Sequence, residues 1–137
     1  MTFIDASDQV MGRFASVIAK RLLQGEEIVV VNAEKILVTG DRDDILEEYR
    51  WHRRVGSQRK GPYYPSRPDM ILKRAIKGML PHKRPRGRSA LKRLRVFIDV
   101  PDEYKKKKLE KIPEASRVST ESFLTLKEIS QNIGAKI

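Results

Sequence analysis

The side chains best able to do chemistry in this sequence are cations, and they are concentrated between residues 50 and 95. That segment holds 16 Lys and Arg residues but a single acid, Asp69. A run of cations almost free of carboxylates creates a strong positive field, which favours a polyanionic partner over simple solvation of a charged face. On charge alone, RNA, DNA and an anionic membrane surface all remain open as partners.

The loop at residues 56–65 combines three features that RNA binding needs. Arg59 and Lys60 can meet phosphates, and Tyr63 and Tyr64 can stack on unpaired bases. Its two glycines permit close approach of the backbone. The alternative for the two tyrosines is packing within the loop itself.

A second basic element spans residues 79–88, where Arg predominates over Lys. Guanidinium groups can bridge phosphate oxygens with two hydrogen bonds and can also stack, which suits folded RNA. The patch continues along neighbouring elements to Arg93 and Arg95. The predicted RNA-binding residues are Arg50, Arg53, Arg54, Arg59, Lys60, Tyr63, Tyr64, Arg67, Lys73, Arg74, Lys77, His82, Lys83, Arg84, Arg86, Arg88 and Lys92.

Other kinds of site find little support. The chain has no cysteine, which excludes zinc ribbons, iron–sulfur sites and disulfides. His52 and His82 lack nearby residues that could complete a metal site, since Asp69 is the one acid in their segment. Neither the three-glycine dinucleotide fingerprint nor a phosphate-binding loop occurs. We therefore predict no catalytic residue, no metal and no cofactor.

The elements that must position the cations follow an α/β pattern. Residues 3–6 resemble a short buried strand, and apolar residues recur at helical spacing from 11 to 22. Residues 27–31 contain a continuous β-branched run, typical of an interior parallel strand. Strand, helix and strand in this order predict a βαβ unit and hence an α/β fold. Residues 36–38 form a third apolar piece.

Later elements are predicted from capping and spacing. Asp41, Asp43 and Asp44 are interpreted as the first turn of a helix, rather than as a cation-binding loop. Thr125 and Glu128 have the spacing of a capping box. Further predictions are a helix beginning at Pro68, a short helix at 89–94, a fourth strand at 96–100 and a last helix at 126–133.

Charge is unevenly divided among the parts of the chain. Residues 1–49 carry a net charge of −5 and residues 96–137 a net charge of +1, so the excess comes from the middle. We interpret all 137 residues as one RNA-binding α/β domain. It has a core at 1–100, which includes the basic segment 50–95, and a C-terminal extension at 101–137. With no signal peptide and no membrane-spanning run, we expect a cytoplasmic protein.

Several blocks of sequence resemble one family. They are residues 4–6, 12–16, 31–36, 39–40, 91–94 and 96–97, together with Lys77-Gly78-Met79-Leu80-Pro81-His82-Lys83 and Arg86-Gly87. In this order they are similar to the thirteenth large-subunit ribosomal protein, in its archaeal and eukaryotic form. Residues 113–137 show no such match.

The resemblance implies a three-layer α/β/α domain with a four-stranded parallel sheet in the order 3-2-1-4. It also implies a structural, non-enzymatic role in the large ribosomal subunit and in its assembly. The partners would be large-subunit ribosomal RNA and neighbouring ribosomal proteins. Two alternatives stay open on the residues themselves: a nucleotide-using α/β enzyme, and a free DNA-binding regulator.

Overall fold

The computed structural model of the protein describes residues 1–55, 59, 64–116 and 122–135. Short 3-10 helices lie at Ala33–Lys35, Asp102–Tyr104 and Pro113–Ala115. In chain order the main elements are β1 (Thr2–Asp5), α1 (Met11–Leu23), β2 (Ile28–Val31), β3 (Leu37–Thr39), α2 (Arg42–Arg54), α3 (Pro68–Gly78), α4 (Pro85–Lys92), β4 (Leu94–Val96), β5 (Phe123–Thr125) and α5 (Leu126–Asn132).

The predicted βαβ unit is confirmed. β1 and β2 pair in parallel, from Thr2 opposite Ile28 to Asp5 opposite Val31. The helix between them, α1, buries the face that carries its apolar stripe, which includes Phe14 and Ile18. A mixed α/β architecture follows from this unit, as the sequence predicts.

The parallel sheet contains three of the described strands, in the order β1-β2-β4. Residues 36–38, predicted only as a third apolar piece, lie largely in β3, which pairs antiparallel with β5 in a separate two-stranded sheet. Asn32 has a left-handed backbone, with φ 58°, and the 3-10 helix Ala33–Lys35 follows it. The chain therefore turns away directly after β2, and β3 does not continue the parallel sheet.

A further segment lies along the free edge of β1. Glu110 forms an isolated parallel bridge with Ile4. Its N–H donates to the Phe3 carbonyl at 2.9 Å, and its own carbonyl accepts from the Asp5 N–H at 2.9 Å. The backbone groups that β1 would otherwise leave unpaired on this side are thus partly satisfied by the C-terminal region.

The two faces of the parallel sheet are covered differently. Alternate residues of a strand point to opposite faces, and Ile28 and Val30 lie in one hydrophobic core with buried residues from all five α-helices. On the other face, Phe3 packs against Tyr104 with ring centroids 5.0 Å apart, and Tyr104 lies 5.7 Å from Phe97. This aromatic cluster, with Tyr104 from the 3-10 helix Asp102–Tyr104, lies on the second face of the sheet.

Helix boundaries follow local chemistry. The Asp41 side chain caps α2 by accepting from the Asp43 N–H, and the Thr125 hydroxyl caps α5 by accepting from the Glu128 N–H, which confirms both predicted starts. Pro68 occupies the first turn of α3, as predicted. Among the helices of the described residues, none has the length and apolar character needed to cross a membrane.

The predictions around α4 and β4 are displaced along the chain. The helix begins at Pro85 instead of residue 89, because proline is well suited to the first helical turn. The strand is Leu94–Val96 rather than 96–100, and it pairs with β2 through Leu94 and Val96.

Candidate nucleic-acid interface

The predicted RNA-binding side chains point mainly to solvent. Of the 17, Tyr64 and His82 are half-buried, and Lys60 and Tyr63 lie outside the described residues. The other 13 are all exposed. The basic segment is therefore a surface in the folded chain.

Carboxylates neutralise little of this surface. Leaving Arg59 aside, Arg67 is the one predicted cation that pairs with an acid within the described part of the chain, with its Nε 3.5 Å from an Asp69 oxygen. By contrast Arg21, which is outside the predicted set, forms two short hydrogen bonds to Glu26, at 2.6 and 2.7 Å. The described cations of the predicted set other than Arg59 and Arg67 therefore keep their charge available for an external anion.

A groove gathers six of the predicted residues from three parts of the chain. Its walls come from the end of α2, the segment at 64–67 and the exposed face of α3, with one residue of α4. The six are Arg53, Tyr64, Arg67, Lys73, Arg74 and Lys77. Sequence reasoning missed four further lining residues, Pro65, Ser66, Met70 and Leu91. Met70 could have been found from its place at i−3 and i−4 to Lys73 and Arg74 on one helix.

Tyr64 holds the groove together. Its ring stacks on His52, with centroids 4.9 Å apart and planes 13° from parallel. The Arg74 guanidinium lies over the same ring, 4.8 Å from its centroid, and Arg53 donates to the Tyr64 carbonyl. Burial raises the pKa of the Tyr64 hydroxyl, with Arg74 opposing that shift. In this structure the tyrosine packs within the protein, and its stacking on RNA bases stays a prediction.

A second residue of α2, Tyr49, also packs against Tyr64. The two rings meet edge to face at 6.0 Å. Tyr49 is buried, and this burial raises the pKa of its hydroxyl far above the ordinary value. A packed aromatic layer of Tyr49, His52 and Tyr64 thus supports the guanidinium groups of the groove.

The turn between α3 and α4 forms a second basic site, next to the end of α3 in the chain. Lys83, Arg84, Arg86 and Arg88 are all exposed there. The first turn of α4 has no acidic residue and no side-chain cap, so the positive end of its dipole adds to the cations. Arg88 is oriented by a hydrogen bond from its Nη2 to the Lys83 carbonyl at 2.9 Å.

Gly87 makes this turn possible. A Cβ added to Gly87 would lie 2.0 Å from the Pro81 carbonyl oxygen and 2.2 Å from its carbon. The backbone of the turn therefore packs directly on α4, and His82 is held in it, half-buried. The Nδ1 atom of His82 is buried and has no hydrogen-bond partner among the described residues.

Some predicted residues lie apart from the groove. The Arg50 Nε donates to Asn132 Oδ1 at 2.8 Å, so this guanidinium is held at the end of α5. Lys92 lines a separate depression at the amino end of the parallel strands with Arg93 and Arg95. Arg93 is engaged inside the protein, donating to the Leu22 carbonyl at 2.7 Å.

One exposed aromatic residue on α2, Trp51, was not among the predicted RNA-binding residues. Trp51 lies on α2 between Arg50 and His52 and is 54% exposed, although tryptophan is usually well buried. Its ring meets His52 edge to face at 5.4 Å. A tryptophan among arginines is a pattern that could have identified it as a stacking candidate.

The carboxyl edge of the parallel sheet is where a nucleotide would bind in an α/β enzyme. Here the edge carries Asp5, whose carboxylate accepts from the Ser7 N–H, the Ser7 hydroxyl and the Asn32 amide. Burial raises the pKa of Asp5, but these hydrogen bonds and Lys111 outweigh it and leave the pKa below its ordinary value. A carboxylate held ionised at this edge repels phosphate.

The metal-ligating residues of the described part do not cluster. No group of three or more His, Asp or Glu side chains there is arranged to hold a metal ion. The arrangement of the surface is thus one of cations, aromatic rings and close backbone.

Comparison with known proteins identifies the family. The model of the family described as Ribosomal protein L13 matches residues 1–103. The chain belongs to the ribosomal protein L13 family. The matched range includes the whole basic segment, so the groove and the turn at Gly87 both lie on the part shared with L13 proteins.

Archaeal L13 relatives extend the similarity past residue 103. A protein of Archaeoglobus fulgidus named large ribosomal subunit protein uL13 is 51% identical over 136 residues, covering 97% of this chain and 87% of its own. Proteins of the same name from Methanosarcina barkeri and Methanococcoides burtonii are 50% and 44% identical, and each alignment covers 99% of both chains.

Proposed function

We propose that this L13-family chain is a structural constituent of the large ribosomal subunit that binds and stabilises folded ribosomal RNA. The observation that carries the proposal is the groove in which cations from α2 and α3 converge around Tyr64, nearly free of carboxylates. Such a surface attracts phosphates and orients them, which is the work of a scaffold protein during subunit assembly.

The surface favours RNA over duplex DNA. Readers of duplex DNA insert a recognition helix into the major groove. The basic side chains here instead surround a concave groove with an aromatic layer and a glycine-dependent turn, features that suit unpaired and folded RNA. The chain acts by binding, and no catalytic step is assigned to it.

Neighbouring large-subunit proteins are the second class of partner. Proteins named large ribosomal subunit protein uL13 share the full length of this chain, which supports the same location for it. We also propose the sheet order 3-2-1-4 that the resemblance implies. The Glu110 bridge supports this order. A fourth parallel strand along β1 would give the spatial order β4, β2, β1 and the Glu110 segment. These are the third, second, first and fourth parallel strands in chain order.

The test is the salt dependence of RNA affinity. Fluorescence anisotropy would follow the binding of the full chain to fragments of large-subunit ribosomal RNA and to duplex DNA of equal length. With about 6–10 phosphate contacts, affinity should fall by roughly three to five orders of magnitude between about 50 and 200 mM salt. At one fixed salt concentration the RNA should bind more tightly than the DNA.

Two outcomes would contradict the proposal. Affinity for RNA that does not change with salt would exclude a phosphate-binding surface. Equal affinity for RNA and DNA would favour a general DNA-binding protein. A thermal shift produced by free nucleotides would instead favour the enzyme alternative, and co-sedimentation with large subunits provides the independent check.

A further inference from the structure

We propose that the groove beside Tyr64 seats one unpaired nucleotide of the RNA, with its base on an apolar floor and its phosphates on the cationic rim. This inference rests on the proposed function and names the part of the RNA that the site takes. Its starting observation is that the groove joins apolar and basic residues on one wall.

The wall formed by α3 shows this combination along a single stripe. Met70, Lys73, Arg74 and Lys77 are spaced i, i+3, i+4 and i+7, so they share one face of the helix. All four are exposed. The opposite face of α3 packs in the core, where Leu72 and Ile76 are fully buried. The stripe presents one apolar contact followed by three cations.

The apolar floor is more than phosphate binding requires. Met70 is 52% exposed and lines the groove with Pro65 and Leu91. A site for duplex backbone alone would use cations and polar groups, since it meets phosphates and sugars. A thioether makes favourable contacts with aromatic rings, and a nucleobase is a planar ring of this kind.

Arg74 links the floor to the rim. Its guanidinium is held over the Tyr64 ring at 4.8 Å and the residue remains exposed. A guanidinium plane both stacks on bases and binds phosphate. Because Tyr64 itself rests on His52, this cation is positioned before the RNA arrives. A preorganised group of this kind loses little entropy on binding.

Size and charge select the occupant. The open groove has a volume of about 700 Å³, within the range of sites that hold single small ligands. Its rim carries Arg53, Lys73 and Lys77 in addition to Arg74, while the nearby acid Asp69 is paired with Arg67. An anionic occupant with a flat apolar part fits both features, and a nucleotide of the bound RNA has that chemistry.

The experiment compares two fluorescein-labelled RNA hairpins with identical stems, one fully paired and one with a single bulged adenosine. The full chain should bind the bulged hairpin about tenfold more tightly, the gain expected from stacking one base. Met70→Ala should reduce this preference to about twofold, because it removes the most exposed apolar side chain of the floor and keeps every cation. Val55→Ala, which removes an exposed apolar side chain outside the groove, should retain it.

A 2-aminopurine at the bulge provides a second readout. Its fluorescence should change on binding to the parent chain and to Val55→Ala, but much less on binding to Met70→Ala. Equal affinity for the two hairpins, or a preference unchanged by Met70→Ala, would overturn the nucleotide seat and leave the proposed function standing. Failure to bind either hairpin at low salt would overturn the proposed function itself.

An acidic peptide is the competing occupant. A dodecapeptide of glutamate and aspartate would be titrated in parallel with the hairpins. Tighter binding of this peptide than of the bulged RNA, lost in Met70→Ala, would assign the groove to a protein partner and overturn the inference.

Discussion

The carbonyl oxygen of Pro81 fills the space that a side chain at Gly87 would need, only 2.0 Å from the ideal Cβ position. This contact fixes the turn between α3 and α4, on which Lys83 and Arg84 lie. The clash involves backbone atoms, so rotation of a side chain cannot relieve it. The cations of the turn and those of α4, Arg86 and Arg88, therefore share one geometric requirement.

Gly87→Ala should destabilise the protein and weaken RNA binding together. Alanine is normally the better helix residue, but here the turn must move to admit its methyl group. We expect the free energy of unfolding to fall by about 1–3 kcal/mol in urea denaturation. Gly12→Ala is the matched control, since nothing lies within 4 Å of its Cβ position. Unchanged stability in Gly87→Ala would show that the turn is adaptable.

Tyr64 should act through its ring rather than through its hydroxyl. Tyr64→Phe keeps the stack on His52 and the contact with Arg74, so stability and RNA affinity should change by less than about 0.5 kcal/mol. Tyr64→Ala removes both contacts and should cost about 1–3 kcal/mol in stability. RNA affinity should fall in the same variant. Equal effects of the two substitutions, measured by urea unfolding and anisotropy, would contradict this role.

The Arg21–Glu26 pair should make stability depend on pH below neutrality. Hydrogen bonds from Arg21 and Thr2 hold the pKa of Glu26 below its ordinary value of 4.5. A lowered pKa contributes stability at pH values well above 4.5, and the contribution is lost as the pH falls through the folded-state pKa.

Glu26→Gln tests this linkage. Because the pair is partly exposed, the variant should be less stable by only about 0.5–1 kcal/mol at pH 7. The difference in unfolding free energy between the variant and the parent chain should shrink toward zero as the pH drops below 4.5, the ordinary pKa of the carboxyl. Urea unfolding at several pH values measures it, with Glu27→Gln, an exposed neighbouring carboxylate, as the control. A difference that grows on acidification would reverse the assigned sign.

Arg50 should stabilise the last helix rather than bind RNA. Its hydrogen bond to Asn132 joins α2 to the end of α5. A double-mutant cycle with Arg50→Ala and Asn132→Ala should give a coupling energy of about 0.5–1.5 kcal/mol. RNA affinity should change less in Arg50→Ala than in Lys73→Ala, since Lys73 lines the groove. Additive effects of the two substitutions on stability would argue against this structural role of Arg50. So would a loss of RNA affinity in Arg50→Ala that is larger than in Lys73→Ala.

Elements defined by local chemistry could be predicted from the sequence. The β-branched run of β2, the apolar stripe of α1 and the caps at Asp41 and Thr125 each carry their own cause within a few residues. Charge partition likewise identified the exposed basic segment, because a cation without nearby acids has little reason to be buried.

Pairings between distant parts of the chain could not be predicted from local sequence patterns. Pairing of β3 with β5 joins residues 37–39 to residues 123–125, and no local pattern indicates a partner so far along the chain. Tyr64 shows the same limit for the site. The sequence identifies an aromatic residue beside cations, but only the fold shows that His52 and Arg74 already occupy its ring surface.

The pairing of Glu110 with the first strand has a consequence for synthesis. The outer edge of β1 is completed by a residue made long after it, and the buried side chain of Gln9 also waits for the Ile112 N–H, which donates to it at 3.2 Å. A nascent chain that has emerged only as far as α4 therefore leaves an unpaired strand edge at its beginning. Such an edge invites association between unfinished copies, and this hazard decreases only when residues 110–112 have emerged from the ribosome and paired with β1 and Gln9.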